Sequence, residues 1–159
     1  MPPASELLRS ALVRVLIARN DDMADPRAFI SFDFDHNETS RMLFVGQAKN
    51  SKTPFSIQDW SSKSALRQDE WEESIGGKIA KCNMVIVLVG KTMASATGVA
   101  KEIKMAKGSD VPVFGVYVDG ADATSNLPAG LARNRTITWT WDGIAAAVTQ
   151  MMGEGKNAA

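Results

Sequence analysis

The run MVIVLVG, residues 84–90, constrains the fold of this chain more than any other feature. A strand that is apolar at every position has no face suited to water, so both of its faces are expected to be covered. Such strands occur in parallel sheets that carry helices on both sides. The run therefore predicts a central strand of an α/β fold.

Strand and helix patterns alternate on both sides of this run. The other strand patterns are RAFISFDF (27–34), PFSIQDW (54–60), VPVFGVYV (111–118) and TITWTW (136–141), and the helix patterns are 36–50, 69–82, the segment around Glu102, and 142–152. Alternation of this kind implies right-handed crossovers between parallel strands. We expect a three-layer, flavodoxin-like fold with a five-stranded parallel sheet in the order 2-1-3-4-5.

The chain is predicted to have three parts. Residues 1–25 form an N-terminal helix and a polar linker, because apolar residues recur at helical spacing after the capping residue Ser5. Residues 26–152 form the α/β domain. Residues 153–159 form a flexible tail.

Composition excludes several classes of partner. Eighteen basic residues balance eighteen acidic ones and are dispersed, which argues against nucleic acid as a partner. No uncharged run reaches the ~18 residues of a membrane span. Cys82 is the only cysteine, so no intramolecular disulfide can form, and no zinc-binding spacing occurs. A cytoplasmic location is expected.

Ligands of open α/β sheets bind beyond the carboxyl ends of the strands. This rule selects Asp33, Phe34, Asp35, His36, Asp59, Trp60, Ser61, Gly90, Lys91 and Asp119. A single loop histidine among acids fits a general base, but it fits a polar loop residue better.

Three familiar α/β chemistries do not match these strand ends. A receiver domain needs an aspartate at the end of the third strand, where this chain has Leu88, Val89 and Gly90. A flavodoxin needs a Ser/Thr/Gly loop after the first strand, but the loop DFDHNE repels phosphate. Neither G-x-G-x-x-G nor a Walker A sequence is present.

Glu102 stands out within the helix TGVAKEIKMA. A solvated helical glutamate commonly pairs with a lysine three or four residues away. The residues at those spacings are Gly98, Val99, Met105 and Ala106. Glu102 lies roughly 60° from Val99, at the margin of the predicted buried stripe. The residues alone leave open whether Glu102 is a surface charge or a carboxylate that faces the crevice.

Three segments together resemble the TIR-like domains of the Thoeris anti-phage system. RAFISFDFD resembles the first TIR box, and KIAKCNMVIVLVGKTM is similar to the second. LFVGQAKNSKTPFSIQDWSSK resembles a GQAKN…PF…DWS segment typical of this subgroup. The resemblance covers Arg27 to Met151.

The resemblance implies an enzyme that cleaves the nicotinamide–ribose bond of NAD. Aligned through KEIKMA, the catalytic glutamate of such enzymes is Glu102, whereas Gly98 stands where many of them carry tryptophan. NAD would be the substrate, with no further cofactor and no metal. The product would be a cyclic ADP-ribose-type messenger that activates a separate effector. Self-association and a phage-derived trigger are also implied.

Five further residues are candidates for binding NAD. Phe34 and Trp60 are placed to stack on a base or to cover the core, and Asp35 and Ser61 fit ribose hydroxyls or polar turns equally well. Lys91 is placed to meet the pyrophosphate.

Two other functions stay open at this point. One is a non-catalytic TIR module that assembles a signalling complex, and the other is a flavodoxin-like small-molecule sensor. Release of nicotinamide from NAD distinguishes the enzyme from both.

Overall fold

The computed structural model describes residues 26–33, 36–49, 57–59, 68–93 and 96–157. Its elements are β1 (Arg27–Ser31), α1 (Glu38–Lys49), β2 (Gln58–Asp59), α2 (Gln68–Lys81), β3 (Met84–Val89), α3 (Thr97–Gly108), β4 (Val113–Tyr117), β5 (Thr136–Ile137) and α4 (Trp141–Met152). The predicted N-terminal helix falls outside these residues.

The strands form one parallel sheet in the order β2-β1-β3-β4-β5. β3 lies between β1 and β4, and all six of its residues are buried. The predicted α/β class with a parallel sheet is therefore confirmed. β2 and β5 are only two residues long, so most of the strand pairing belongs to the three central strands.

Helices cover both faces of the sheet, as the apolar third strand requires. On one face Phe44 of α1 and Ile144 of α4 pack with Ile86 of β3. On the other face Ile75 of α2 and Ile103 of α3 pack with alternate residues of the same strand. Because side chains alternate along a strand, Ser31 of β1 points to the α2 and α3 side, as its neighbour Phe29 does.

The fifth strand is shorter than TITWTW predicts. β5 ends at Ile137, and Trp141 begins α4 instead of continuing the strand. The reason is local: the Thr140 hydroxyl caps α4 by accepting a hydrogen bond from the Gly143 backbone N–H at 3.1 Å. The helix cap outweighs the strand preference of the aromatic and β-branched residues.

Trp139 lies in the connection between β5 and α4 and packs against the core on the α1 and α4 side of the sheet. Its ring meets Phe44 of α1 edge-on at a centroid distance of 5.8 Å. Its indole N–H donates to Oε1 of Gln47 at 2.8 Å. Trp139 is therefore part of the packed interior, whereas Trp141 is 42% exposed.

The segment after α4 makes defined contacts, although the sequence predicts a flexible tail from residue 153. The Asn157 side chain donates to the carbonyls of Ala80 and Cys82, each at 2.8 Å. The backbone carbonyl of Asn157 accepts a hydrogen bond from the side-chain amide of Asn83 at 2.6 Å. Glu154 pairs with Arg135 at 2.9 Å. Residues as far as 157 therefore pack against the amino edge of the sheet, because polar side chains meet backbone groups left free there.

No helix in the described part of the chain is long and apolar enough to cross a membrane.

Candidate functional site at the carboxyl edge of the sheet

Glu102 lies in the second turn of α3, on the side that faces the sheet. It shares the buried stripe with Val99, Ile103 and Ala106, and only 9% of its surface is exposed. The adjacent Lys101 points elsewhere and pairs with Glu72 of α2 at 3.0 Å. The sequence predicted Glu102 at the margin of this stripe, and the structure places it within the stripe.

The Glu102 carboxyl meets the end of β1. Ser31, the last residue of that strand, donates its hydroxyl hydrogen to Oε1 of Glu102 at 2.6 Å. Burial raises the pKa of Glu102 from 4.5 to about 7, while the Ser31 hydrogen bond acts in the opposite direction. The carboxyl is thus poised between its two protonation states near neutral pH, a property common in functional sites.

A second polar group begins two residues after Ser31. One carboxylate oxygen of Asp33, Oδ2, accepts a hydrogen bond from the Thr92 hydroxyl at 2.7 Å. The same oxygen lies 2.8 Å from Nδ1 of His36. Thr92 follows β3, so this group joins the loops after the neighbouring strands β1 and β3 at one edge of the sheet.

A third group ties the start of α1 to the loop after β4. Asn37 donates through its side-chain amide to Oδ2 of Asp119, and the Ser40 hydroxyl donates to Oδ1 at 2.6 Å. Asp119 has a φ of 54°, in the left-handed region that side chains other than glycine seldom adopt. Two donors on its carboxylate hold this residue in that conformation.

Gly90 allows Asn37 to reach Asp119. A Cβ atom at Gly90 would lie 2.5 Å from Nδ2 and 2.7 Å from Oδ1 of Asn37, closer than atoms can approach. Only a residue without a side chain therefore leaves room for Asn37 at the end of β3.

The sequence-based candidates are divided between described and undescribed parts of the chain. Phe34, Asp35, Trp60 and Ser61 lie outside the described residues. Lys91 is exposed, and its Nζ lies 3.2 Å from where a Cβ of Gly120 would be, so it reaches the loop after β4. Cys82 is fully buried in the core on the α2 and α3 side of the sheet.

The residues missed by sequence reasoning are Ser31, Asn37, Ser40 and Thr92. Ser31 carried one signal, since it is the one polar residue in the otherwise apolar run AFISF. The others lie in polar loops or at a helix start, where such residues are ordinary.

The carboxyl edge of the sheet thus carries two features: the buried carboxyl of Glu102 and the partly exposed pair of Asp33 and His36. Among the described residues, no group of three or more His, Cys, Asp or Glu side chains is arranged to hold a metal ion. The chemistry available there is that of side-chain carboxyl, hydroxyl and imidazole groups.

Fold and site define a parallel α/β protein with a buried glutamate at the carboxyl edge of its sheet. The family model described as "Thoeris protein ThsB, TIR-like domain" matches residues 29–123, and the chain belongs to that family. No curated protein matched the chain.

One solved structure that the chain matches is a crystal structure of a prokaryotic SEFIR domain. It is 12% identical in sequence with a TM-score of 0.45, and the match covers 80% of this chain and 90% of that one.

Proposed function

We propose that this chain cleaves the nicotinamide–ribose bond of NAD and makes a cyclic ADP-ribose-type signal in anti-phage defence. The observation that carries the proposal is the carboxyl of Glu102, which is buried at the carboxyl edge of the sheet and held by Ser31. Glu102 is also the residue that aligns with the catalytic glutamate of NAD-consuming TIR domains. Membership of the Thoeris TIR-like family supports the same activity.

One carboxylate suffices for this reaction. Nicotinamide in NAD is cationic, so it departs as a neutral molecule and needs no proton from the protein. The barrier lies in the positive charge that develops on the ribose, as in glycoside hydrolysis. A fixed anion in a site with little water stabilises that charge strongly. Glu102 has this role in the proposal, and it accepts hydrogen bonds from the ribose hydroxyls.

The raised pKa of Glu102 fits a site built for a cation. Burial penalises the carboxylate in the free protein and raises its pKa to about 7. The positive nicotinamide ring would favour the ionised form when NAD binds. Substrate binding itself would therefore charge the catalytic group.

The remaining substrate contacts in the proposal follow the strand ends. Phe34 and Trp60 stack on the bases, Asp35 and Ser61 bind ribose hydroxyls, and Lys91 meets the pyrophosphate. The exposed position of Lys91 after β3, on the side of the loop that follows β4, suits an anionic contact.

The proposal includes assembly and signalling partners. Copies of the chain associate, a phage-derived trigger activates them, and the nucleotide product activates a separate effector. Nicotinamide release that rises more steeply than in proportion to protein concentration would support the first of these steps.

The test is nicotinamide release from NAD by the purified full chain at high concentration. Glu102→Gln keeps the shape of the side chain but removes its charge, and we expect it to lose the activity. Glu73→Gln changes an exposed glutamate of α2 and serves as the matched control. Equal activity in the wild-type protein and in Glu102→Gln would exclude the proposed role.

A second candidate function is favoured by one residue. Gly98, one turn before Glu102, stands where many NAD-consuming TIR domains carry tryptophan. A chain lacking that aromatic contact would act as a non-catalytic module that assembles a signalling complex. It would release no nicotinamide at any protein concentration or in lysates of infected cells.

A further inference from the structure

A histidine at the same edge of the sheet as Glu102 is held in a specific arrangement that the proposed charge stabilisation does not use. Oδ2 of Asp33 lies 2.8 Å from Nδ1 of His36 and accepts the Thr92 hydroxyl at 2.7 Å. The Asp33 side chain is 11% exposed, whereas that of His36 is 55% exposed. The carboxylate is thus sheltered within the protein while the imidazole faces the solvent side.

The backbone fixes the same arrangement. The Asp33 carbonyl accepts hydrogen bonds from the backbone N–H groups of His36 at 3.1 Å and Asn37 at 2.7 Å. Asn37 is in turn bound to Asp119. The histidine therefore stands on a turn that is anchored on both sides, and its ring position does not depend on a single contact.

This geometry selects one tautomer of the neutral ring. A carboxylate only accepts hydrogen bonds, so Nδ1 of His36 must carry the proton that points to Asp33. The other nitrogen, Nε2, then has a free lone pair. The same logic orients the histidine in Ser-His-Asp enzymes, where the buried aspartate sets the tautomer and the outer nitrogen acts as base.

The pair also lies at the same edge of the sheet as the proposed catalytic group. Ser31 binds Glu102, and Asp33 is two residues further along the chain. The Cα atoms of Ser31 and Asp33 are therefore at most about 7 Å apart. Ser31 points to the α2 and α3 face of the sheet, where Glu102 lies. The Glu102 carboxyl and the His36 imidazole are therefore both tied to the carboxyl ends of β1 and β3, where one extended ligand would meet them.

We propose that His36 is the general base that accepts the proton of the hydroxyl attacking the ribose, with Asp33 and Thr92 as positioning residues. This inference rests on the proposed NAD cleavage. When the carbon–nitrogen bond breaks, nicotinamide leaves with the electron pair and the anomeric carbon becomes electron-poor. A hydroxyl of water or of a ribose forms the new carbon–oxygen bond, and its proton passes to Nε2 of His36 and then to solvent.

The first test examines the tautomer in the full chain without substrate. His36 is the only histidine of the sequence, so its imidazole nitrogen signals in NMR need no assignment. At a pH where the ring is neutral, we expect the proton on Nδ1 in the wild-type protein. In Asp33→Ala, most molecules should instead carry this proton on Nε2. A wild-type ring with its proton on Nε2 would overturn the proposal, because that nitrogen could not then act as a base.

The second test compares two nucleophiles in the enzyme reaction. A pyridine such as 3-acetylpyridine attacks through a lone pair and has no proton to lose, so its exchange into NAD requires no base. His36→Gln should lower hydrolysis or cyclisation by roughly 100-fold while leaving exchange nearly unchanged. Lys104→Gln, an exposed change on α3, is the control and should alter neither reaction.

The outcomes separate this inference from the function on which it rests. If His36→Gln lowers both reactions equally, or neither, the role of general base is wrong although NAD cleavage stands. If the wild-type protein neither hydrolyses nor exchanges NAD, the proposed function fails and the role of His36 falls with it. Glu102→Gln should lose both reactions, since charge stabilisation is needed for either nucleophile.

Discussion

Ser31 and Glu102 are 71 positions apart in the sequence, and the hydroxyl of one donates a 2.6 Å hydrogen bond to the carboxyl of the other. The contact joins the end of β1 to the second turn of α3. It also opposes the effect of burial on the carboxyl, since a hydrogen bond to the charged form favours ionisation. The contact therefore fixes the position of the proposed catalytic group, and its charge follows from burial and, to a smaller extent, from this hydrogen bond.

Ser31→Ala should raise the pKa of Glu102 above about 7, because burial then acts without the opposing hydrogen bond. Near pH 8, where the carboxylate would be left without this donor, we expect a loss of roughly 1 to 3 kcal/mol in the free energy of unfolding. Urea denaturation measures the loss. Ser74→Ala, at an exposed position of α2, should have little effect. Equal losses in the two variants would show that the Ser31–Glu102 hydrogen bond makes no specific contribution to the free energy of unfolding.

Glu102→Gln should change how the stability of the protein depends on pH. An unfolded glutamate ionises near 4.5, whereas Glu102 in the folded chain keeps its proton up to about 7. The folded state therefore binds more protons between these values, and stability falls as pH rises from 4.5 to about 7. The shift corresponds to about 3 kcal/mol.

Glutamine cannot ionise, so the variant should lack this fall and be the more stable protein at pH 8. Denaturation curves from pH 4 to pH 9 provide the measurement. The exposed change Glu73→Gln should keep the wild-type pH dependence. Parallel curves for the wild-type protein and Glu102→Gln would exclude a raised pKa at Glu102.

Enzyme activity should rise with pH because the proposed reaction needs the Glu102 carboxylate. We expect kcat/KM for nicotinamide release to increase through a midpoint near the pKa of about 7 and then to level off. The midpoint for kcat should be lower, because the cationic nicotinamide favours the ionised carboxyl in the complex. Initial rates between pH 5.5 and pH 9 test both expectations. A flat profile across this range would contradict them.

Sequence patterns predicted the fold well where the arrangement of apolar residues is distinctive. The apolar residues 84–89 became the fully buried β3, and the helix around Glu102 became α3. The strand predicted for TITWTW was too long, because Thr140 caps α4 and does not continue β5. These residues suit both a strand and the start of a helix. Capping residues such as Thr140 decide where a strand ends and a helix begins. Hydrophobic periodicity does not reveal these boundaries.

The candidate site was predictable only in part, for a different reason. Glu102 could be selected because helical spacing gave it no lysine partner and placed it next to the buried stripe. Its contact with Ser31, the Thr92–Asp33 bond and the Asn37–Asp119 bond join residues 71, 59 and 82 positions apart. Contacts of this range depend on how the strands are ordered in the sheet, and no local pattern encodes them.

Gly90→Ala tests whether the close approach of Asn37 to the end of β3 matters. The added Cβ would lie 2.5 to 2.9 Å from three atoms of the Asn37 side chain, so Asn37 must move and its bond to Asp119 must weaken. We expect a loss of roughly 1 to 3 kcal/mol in the free energy of unfolding, the usual cost of an overpacked interior. Because Asn37 directly follows His36, nicotinamide release should also fall.

Gly77→Ala is the matched control, since a Cβ at this position of α2 meets no atom within 4 Å apart from the backbone of its own helix. Alanine favours a helix interior over glycine by roughly 0.5 to 1 kcal/mol, so this variant should be as stable as the wild-type protein or more so. Thermal unfolding of both variants, with nicotinamide release measured on the same samples, provides the comparison. If Gly90→Ala and Gly77→Ala have the same stability and the same nicotinamide release, the Asn37 side chain can move aside without loss of stability. The loop after β1 would then not depend on a glycine at the end of β3.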